Sequence, residues 1–497
     1  MADQSLAGAA TRFDHVRTGR SRAAVKGVAW STLSSVAPAL FSMLVFAATS
    51  RVLDRADFGL VAFAGSIGTF ASALVPAGFG EALIQRSAIT ERHTSSVFWL
   101  CVMFAVAIYV PLCLMAGPIA GWMHQPVLFG LIVFLGLRVI LGMVGTVPNA
   151  ILVRSMSFRQ MALRTTIASF FAGAICLLLL VMGFGLWALA ASQLAAAVVT
   201  SLGSYLATRW TPRLIFDRSA LRELTAFGTF ATGYHMLDIL SLDQILIGTL
   251  VGPAALGIYS FSRRIYQILN DLIAGALGNA SYSLLSSLQA DPGKLRQAYL
   301  VASFTSSLLA FPVFAGIAMT AGQFIPIVFG HHWIAATTCV QGFCALGLLA
   351  SVGVLQSSLI RSQGMANLWF YYLAGKQMVT LLYVALFASW GINSLILALV
   401  IENYLLWPVT AFAVSRLMRM SMLRYLSTFA LPAVGTLAMF GTVTLTRSMF
   451  TGMSPLLALG ATVAVGALTY MAIIALFGRR HLLEIHALVL KRTLARA

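Results

Sequence analysis

Hydrophobic residues along this chain come in long continuous runs, separated by short polar turns. The runs fall at 28–50, 58–80, 95–117, 127–150, 165–183, 185–207, 224–250, 256–285, 298–321, 334–360, 366–388, 391–413, 425–446 and 454–477. Each has about twenty residues, enough for a helix rising 1.5 Å per residue to cross roughly 30 Å of hydrocarbon. The runs are unbroken rather than alternating, which predicts helices and argues against a strand barrel. The expected fold is an all-α polytopic membrane protein with fourteen spans. The count falls to twelve where one glycine-broken pair, 165–207 or 366–413, dips in and returns on the same side. The turns leave no room for a separate soluble domain.

Composition agrees with the pattern. Of 497 residues 60% are hydrophobic and only 9% charged, with a mean hydropathy of +0.91. A soluble protein cannot hide that much apolar surface, so the solvent is lipid. The net charge of +18 would suit a nucleic-acid partner, but its distribution argues against one. Lys and Arg concentrate in alternate loops, from Arg12, Arg17, Arg20, Arg22 and Lys26 through Arg86, Arg92, Arg154 and Arg209 to Arg479 and Arg480. The opposite loops carry only Arg51, Arg55 and Arg447. This bias marks the cytoplasmic side and predicts an inner (plasma) membrane protein with both termini in the cytoplasm. The first run is too long for a signal-peptide core and leads into another span, so it reads as an uncleaved helix after a basic tail, 1–26. Residues 479–497 read as a basic amphipathic helix on the inner leaflet. The five cysteines lie within the runs and form no metal or redox motif. His331 and His332 share a loop without further ligands. No metal site and no cofactor are expected.

Three stretches recur at nearly one offset. "RVLDRADFGLVAF" (Arg51 to Phe63) is echoed by "TLVGPAALGIYSF" (Thr249 to Phe261), placing Gly59 over Gly257. "GFGLWALA" is echoed within "SWGINSLILA", with Gly185 over Gly391, and "LVRS" by "LIRS", with Arg154 over Arg361. The echoes predict two six-helix lobes of the same orientation, 27–210 and 211–415, followed by an appended helix pair in 416–478. Repeats of this parallel kind occur in transporters that rock one lobe against the other around a midplane site. Gly59 and Gly257 are expected to permit a tight outer corner in each lobe.

The two-lobe plan resembles the multidrug/oligosaccharidyl-lipid/polysaccharide exporter superfamily. "RVLDRADFGLVAF", "GFGEALIQR", "PNAILVRSMSFRQMALRT" and "LDQILIGTLVGPAALGIYSFSRRI" look like its polysaccharide-exporter branch, the Wzx-type flippases, over about residues 25 to 480. The resemblance implies a polyprenyl-pyrophosphate-linked oligosaccharide as substrate, flipped from the cytoplasmic to the periplasmic leaflet for exopolysaccharide, O-antigen or capsule synthesis. It implies a polymerase and export machinery as pathway partners. In the related lipid II flippases, which also have fourteen spans, the last two helices are associated with a groove for the lipid tail.

Ionisable residues inside spans are costly in lipid and are functional candidates for that reason. Arg263, Arg264, Gln267, Asn270 and Asp271 fall within an arc of about 120° on one helix, so this polar stripe faces water or a partner rather than lipid. Lys376 and Arg138 lie near mid-depth in their runs. Together these cations suit a cavity for a diphosphate, since Arg presents a planar fork of donors to phosphate. Asp238, Asp243, Asp271, Glu402 and Glu81 are candidates for carrying a coupling ion. The alternative for the whole set is structural ion pairing between helices. His235 is a candidate partner of Asp238, and Tyr282, Trp333, Trp369 and Trp407 are expected as interfacial anchors.

Two rival functions carry less. Asp54 and Asp57 resemble the acidic pair of membrane glycosyltransferases, but the outer loops are short and hold no catalytic domain, so no enzyme is expected. A cation-coupled small-molecule exporter, or a lipid II flippase of the same superfamily, fits the fold equally. The basic rather than acidic interior favours a lipid-linked anion.

Overall fold

The computed structural model describes residues 38–478 apart from 87, 240, 288–290 and 451. The two basic tails, 1–26 and 479–497, lie outside the described residues. The described residues are helical apart from short turns, and the predicted runs fall largely on helix. Eleven helices among the described residues are long and apolar enough to cross a membrane. The protein is therefore a polytopic membrane protein.

Some runs break rather than continue. The second becomes Arg55–Ala73 and then the half-helix Gly78–Gln85; the fourth becomes Val127–Val144 and Thr146–Arg154; the seventh becomes Arg218–Ile239 and Leu242–Leu250. Other helices outrun the hydrophobic pattern. Glu91–Trp122 and Pro292–Phe329 extend past the membrane's hydrocarbon thickness. Their extra turns are nucleated by caps: Thr90 and His93 close a capping box, and the Asp291 carboxylate accepts from the Lys294 amide.

By contacts the chain gathers into two compact units. The first comprises Met1–Ser260 with Leu373–Ser389, the second Phe261–Tyr372 with Trp390–Ala497. In the first, the echoed corners pack directly on each other. A Cβ at Gly59 would lie 1.8 Å from the Pro253 carbonyl oxygen, and one at Gly257 would lie 1.8 Å from the Arg55 carbonyl oxygen. The glycines are helical, one turn past each corner. They serve the approach of two helices rather than the reversal of the chain, which corrects the expectation. The other echoes also keep their local structure in both copies. Gly185 (φ +55°) and Gly391 (φ +89°) each begin a helix in a conformation costly to residues with a Cβ. Arg154 and Arg361 each lie in the last turn of a helix.

The half-helix Gly78–Gln85 lies close against Arg218–Ile239. A Cβ at Gly78 would lie 2.2 Å from the Thr232 nitrogen, and the Gly78 amide donates to the Thr232 hydroxyl. Phe79, Val97, Phe98, Cys101, Val147 and Leu224 are among the buried residues of the surrounding core.

The second unit is built on aromatic packing and one polar network. Phe261 stacks on Trp333 with centroids 4.0 Å apart and meets Phe329 edge-on at 5.0 Å. Trp333 is fully buried, not an interfacial anchor as its position at a span end suggested. Three aromatic faces in contact outweigh placement of one indole at the membrane surface. The appended helix Met422–Thr446 is pinned through Tyr425. Its hydroxyl lies 3.1 Å from that of Tyr299 and accepts from the Gln356 amide at 3.1 Å, while Thr410 donates to the Gln356 carbonyl oxygen at 2.9 Å. All four side chains are buried.

Two outcomes follow from this packing. Gly59→Ala forces apart two backbones that touch, at a cost of about 1–3 kcal/mol. Gly65→Ala on the same helix, where a Cβ would meet only Gln193 at 3.9 Å, leaves the melting temperature in detergent unchanged. Tyr425→Phe strands the Gln356 donor in the core and lowers stability by about 1–3 kcal/mol, read as a lower midpoint of thermal unfolding.

Candidate functional site

Helix Pro253–Ser287 carries the predicted polar stripe. One face is apolar: Phe261, Ile265 and Ile268 are buried, and the Tyr266 ring lies near Phe314 and Phe343. The stripe occupies the opposite face. Arg264 and Asp271 are exposed, and Arg263, Gln267 and Asn270 half-buried. Arg264 and Asp271 interact electrostatically along that face. The stripe thus faces away from the core of its own unit, with its two exposed charges of opposite sign two helical turns apart.

The remaining candidates stand in different surroundings. Arg138 is half-buried and donates to the Gln193 side-chain oxygen at 2.6 Å. Lys376 is half-buried on helix Ala366–Phe387. Asp243 is buried and accepts a hydrogen bond from the Tyr259 hydroxyl at 2.6 Å. Its neighbour Gln244 accepts from Ser66 at 2.5 Å. Together these bonds tie the short helix Leu242–Leu250 to its neighbours. Glu402 is almost wholly buried, with the Asn403 amide at 3.4 Å and Tyr372 within electrostatic range. Glu81 is exposed in the first turn of the half-helix Gly78–Gln85, where a carboxylate suits the positive helix end. The side chains of Asp238, His235 and Tyr282 lie outside the described residues.

Sequence reasoning counted Arg154 only as a loop charge. It is 5% exposed and donates to the carbonyls of Leu83, Ile84 and Arg86. A buried guanidinium thus ends the half-helix whose last carbonyls lack helical partners. The signal was present in the LVRS/LIRS echo, but its partners come from a distant segment.

A second group joins the basic loops of the first unit. Arg86 and His93 both reach the Glu223 carboxylate, the latter at 3.2 Å. Arg213 pairs with Glu91 at 2.6 Å and Arg92 with Asp217 at 3.7 Å. The Trp99 indole donates to the Arg213 carbonyl at 2.8 Å, and Ser96 accepts from the Asp217 amide at 2.7 Å. These bonds fasten the linker around 209–217 to the start of helix Glu91–Trp122. The hydrogen bond from His93, with the Arg86 charge beside it, holds the Glu223 carboxyl below the usual glutamate range.

The chain matches the family model described as "Polysaccharide biosynthesis protein" over residues 48–338. It is 25% identical over 472 residues to the teichuronic acid biosynthesis protein TuaB of Bacillus subtilis, covering 90% of this chain and 94% of that one. It is 26% identical to the succinoglycan biosynthesis transport protein ExoT of Rhizobium meliloti, over 68% of each chain. The lipopolysaccharide biosynthesis protein WzxC of Escherichia coli is 24% identical, over 70% of this chain and 72% of its own. Among solved structures, the lipid II flippase MurJ in an inward closed conformation superposes with a TM-score of 0.69 at 13% identity, over 93% of this chain and 98% of that one. An inward-facing multidrug resistance MATE family transporter superposes at 0.54 with 17% identity, over 79% and 96%. These structural likenesses establish the fold.

The Glu223 cluster makes a pH prediction. A lowered carboxylate pKa means that its stabilising contribution is complete above the ordinary glutamate range and is lost as pH falls through the lowered value. Amide hydrogen exchange in the first turns of helix Arg218–Ile239, which carries Glu223, should therefore stay slow at neutral pH and accelerate only in acid below that range. Glu223→Gln should give the fast exchange already at pH 7.

Proposed function

Since the chain belongs to the polysaccharide biosynthesis protein family, in the polysaccharide-export branch of the multidrug/oligosaccharidyl-lipid/polysaccharide exporter superfamily, we propose that it flips a polyprenyl-pyrophosphate-linked oligosaccharide from the cytoplasmic to the periplasmic leaflet. The observation that carries this reading is the stripe on helix Pro253–Ser287. Two adjacent arginines and their amide neighbours lie on one face, turned away from the packed core of their unit. Guanidinium groups in a low-dielectric surround suit a diphosphate, which accepts several charge-assisted hydrogen bonds at once.

In this reading fourteen helices cross the membrane, both termini are cytoplasmic, and two six-helix lobes enclose the path. Arg263, Arg264 and Lys376 grip the diphosphate, with Gln267 and Asn270 on the adjoining sugar hydroxyls. Arg138 joins them with the donors that Gln193 leaves free, since a guanidinium carries five. The polyprenyl tail stays in lipid. The Gly59–Gly257 crossing closes the outer end, and rocking of the lobes opens it. A membrane potential negative inside favours outward movement of an anion by about 2.3 kcal/mol per charge per 100 mV. The near-complete burial of Glu402 favours an additional coupling ion, with Asp243 and Asp271 as structural partners. The glycan class is a secreted or surface polysaccharide, and the partners are the polymerase and export machinery of that pathway.

The test is transport itself. Full-length protein in liposomes receives a fluorescent polyprenyl-pyrophosphate oligosaccharide, and the label's accessibility from the far side is followed. Arg264→Ala and Lys376→Ala should each slow flipping by tenfold or more, about the effect of losing one hydrogen bond to a charged group, with melting temperature unchanged. Flipping that survives both substitutions would make these residues structural ion-pair partners. No flipping by the unaltered protein across several glycans would sink the lipid-linked substrate.

A further inference from the structure

The connection between helices Leu186–Thr208 and Arg218–Ile239 is pinned along its inner side. Trp210 packs edge-on to Phe98 and stacks on Tyr205, with centroids 5.7 and 6.1 Å apart. The Arg213 amide donates to the Ser95 hydroxyl at 3.3 Å, and its carbonyl accepts from the Trp99 indole. The Asp217 amide donates to Ser96, and the Asp217 carboxylate accepts from the amides of Ser219 and Ala220 at 2.8 and 3.3 Å. Between these anchors the chain bends at Leu214, where the Ile215 amide donates back to the Arg213 carbonyl at 2.8 Å. Leu214 is 90% exposed at the tip of this bend and Phe216 47% exposed, while Ile215 and Asp217 are half-buried. The held backbone gives the two apolar side chains no way to fold inward, and leaving them in water forfeits the gain of burial.

Depth and charge say what covers them. Trp99 and Trp122 lie about 35 Å apart along helix Glu91–Trp122 at 1.5 Å per residue. With the exposed Trp122 at the far edge of a hydrocarbon layer of about 30 Å, Trp99 stands about 5 Å outside the near edge, within the head-group region. The Arg213 carbonyl that it holds is at the same level. Helix Leu186–Thr208 agrees, since it is itself about 35 Å long and the connection begins where it ends. Arg209 before the bend, and Arg218 and Arg222 after it, are exposed and form no ion pair among the described residues. Apolar tips among guanidinium groups at head-group depth are the complement of an anionic bilayer surface, which offers acyl carbon to the tips and phosphates to the charges.

We propose that this connection is a foot resting on the leaflet of the arginine-rich side. Leu214 and Phe216 enter the upper acyl region, and Arg209, Arg218 and Arg222 hold lipid phosphates. The occupant is the surface of the bulk anionic leaflet, because a contact open to the membrane encloses no single molecule. The foot ties the link between the two lobes expected from the sequence repeat to the membrane surface, and so sets the height at which helix Arg218–Ile239 enters the bilayer. This inference does not depend on which molecule the protein carries.

Site-directed fluorescence on the full-length protein tests it. Leu214→Cys and, as a reference, Lys294→Cys are labelled with a water-soluble bimane reagent. Lys294 is exposed at the start of the long helix Pro292–Phe329. The native cysteines are buried or half-buried, and the unaltered protein taken through the same labelling gives the background. The labelled protein sits in nanodiscs of phosphatidylcholine, with or without phosphatidylglycerol, and without any polyprenyl lipid. A nitroxide on the upper acyl chain should quench the Leu214→Cys label several-fold more than the Lys294→Cys label, and aqueous iodide should do the reverse. Phosphatidylglycerol should raise the lipid quenching at 214 and lower the iodide quenching there. Arg209→Gln, Arg218→Gln and Arg222→Gln together should abolish that gain. Equal quenching of the two labels by the nitroxide lipid would overturn the proposal. So would a 214 label shielded from iodide yet untouched by the nitroxide lipid, by placing another stretch of protein over the bend. A phosphatidylglycerol gain that is absent, or that survives the triple substitution, would remove the arginines' role and with it the anionic surface.

Discussion

Hydrocarbon offers no hydrogen bonds, so every polar group carried into the membrane must find its partner within the protein. Much of this structure is organised by that requirement. Hydroxyls bend back onto their own helices, as Thr49 does onto Val45 and Phe46, and Thr320 onto Gly316. Larger groups reach across helices instead. Arg138 finds Gln193, Asp243 finds Tyr259, and Tyr425 closes a network with Tyr299, Gln356 and Thr410. Where a helix stops inside the protein, its open carbonyls need a donor, and Arg154 supplies one to the end of Gly78–Gln85. Each such bond fixes which helices are neighbours.

Small residues do the complementary task of letting backbones touch. Without a hydrophobic drive between helices in lipid, close packing carries much of their association. At Gly59 and Gly257 the approach is so close that each glycine lies against the other helix's carbonyl. The contact at the two glycines is made by backbone atoms. The polar network around Tyr425 has the opposite character, with every member buried and bonded, and it holds its helices in one arrangement.

Charge then divides the molecule by role. Arginine and lysine in the basic loops are spent partly on topology and partly on fastening, as the ion pairs of Glu91, Asp217 and Glu223 show. The arginines of helix Pro253–Ser287 sit on a face that the core of their unit does not cover. That contrast separates charges that hold the fold from charges on the uncovered face of this helix. It also places Asp243 among the former, since its carboxylate is occupied by Tyr259 within one short stretch of chain.

The sequence by itself determined the solvent and the fold class, because twenty-residue apolar runs admit one physical reading in lipid. It also located the polar stripe, because helical periodicity alone places Arg263, Arg264, Gln267, Asn270 and Asp271 on one face. The echoes at Gly59 and Gly257 were visible, but their meaning was not. A glycine that turns a chain and one that admits another backbone look alike in sequence, and only the neighbour tells them apart. The breaks at Gly78–Gln85 and Leu242–Leu250, the burial of Trp333 and the carbonyls capped by Arg154 were likewise decided by tertiary structure. Each depends on groups distant in the chain, and hydrophobic periodicity records what a residue turns toward lipid or core, not which partner it meets there.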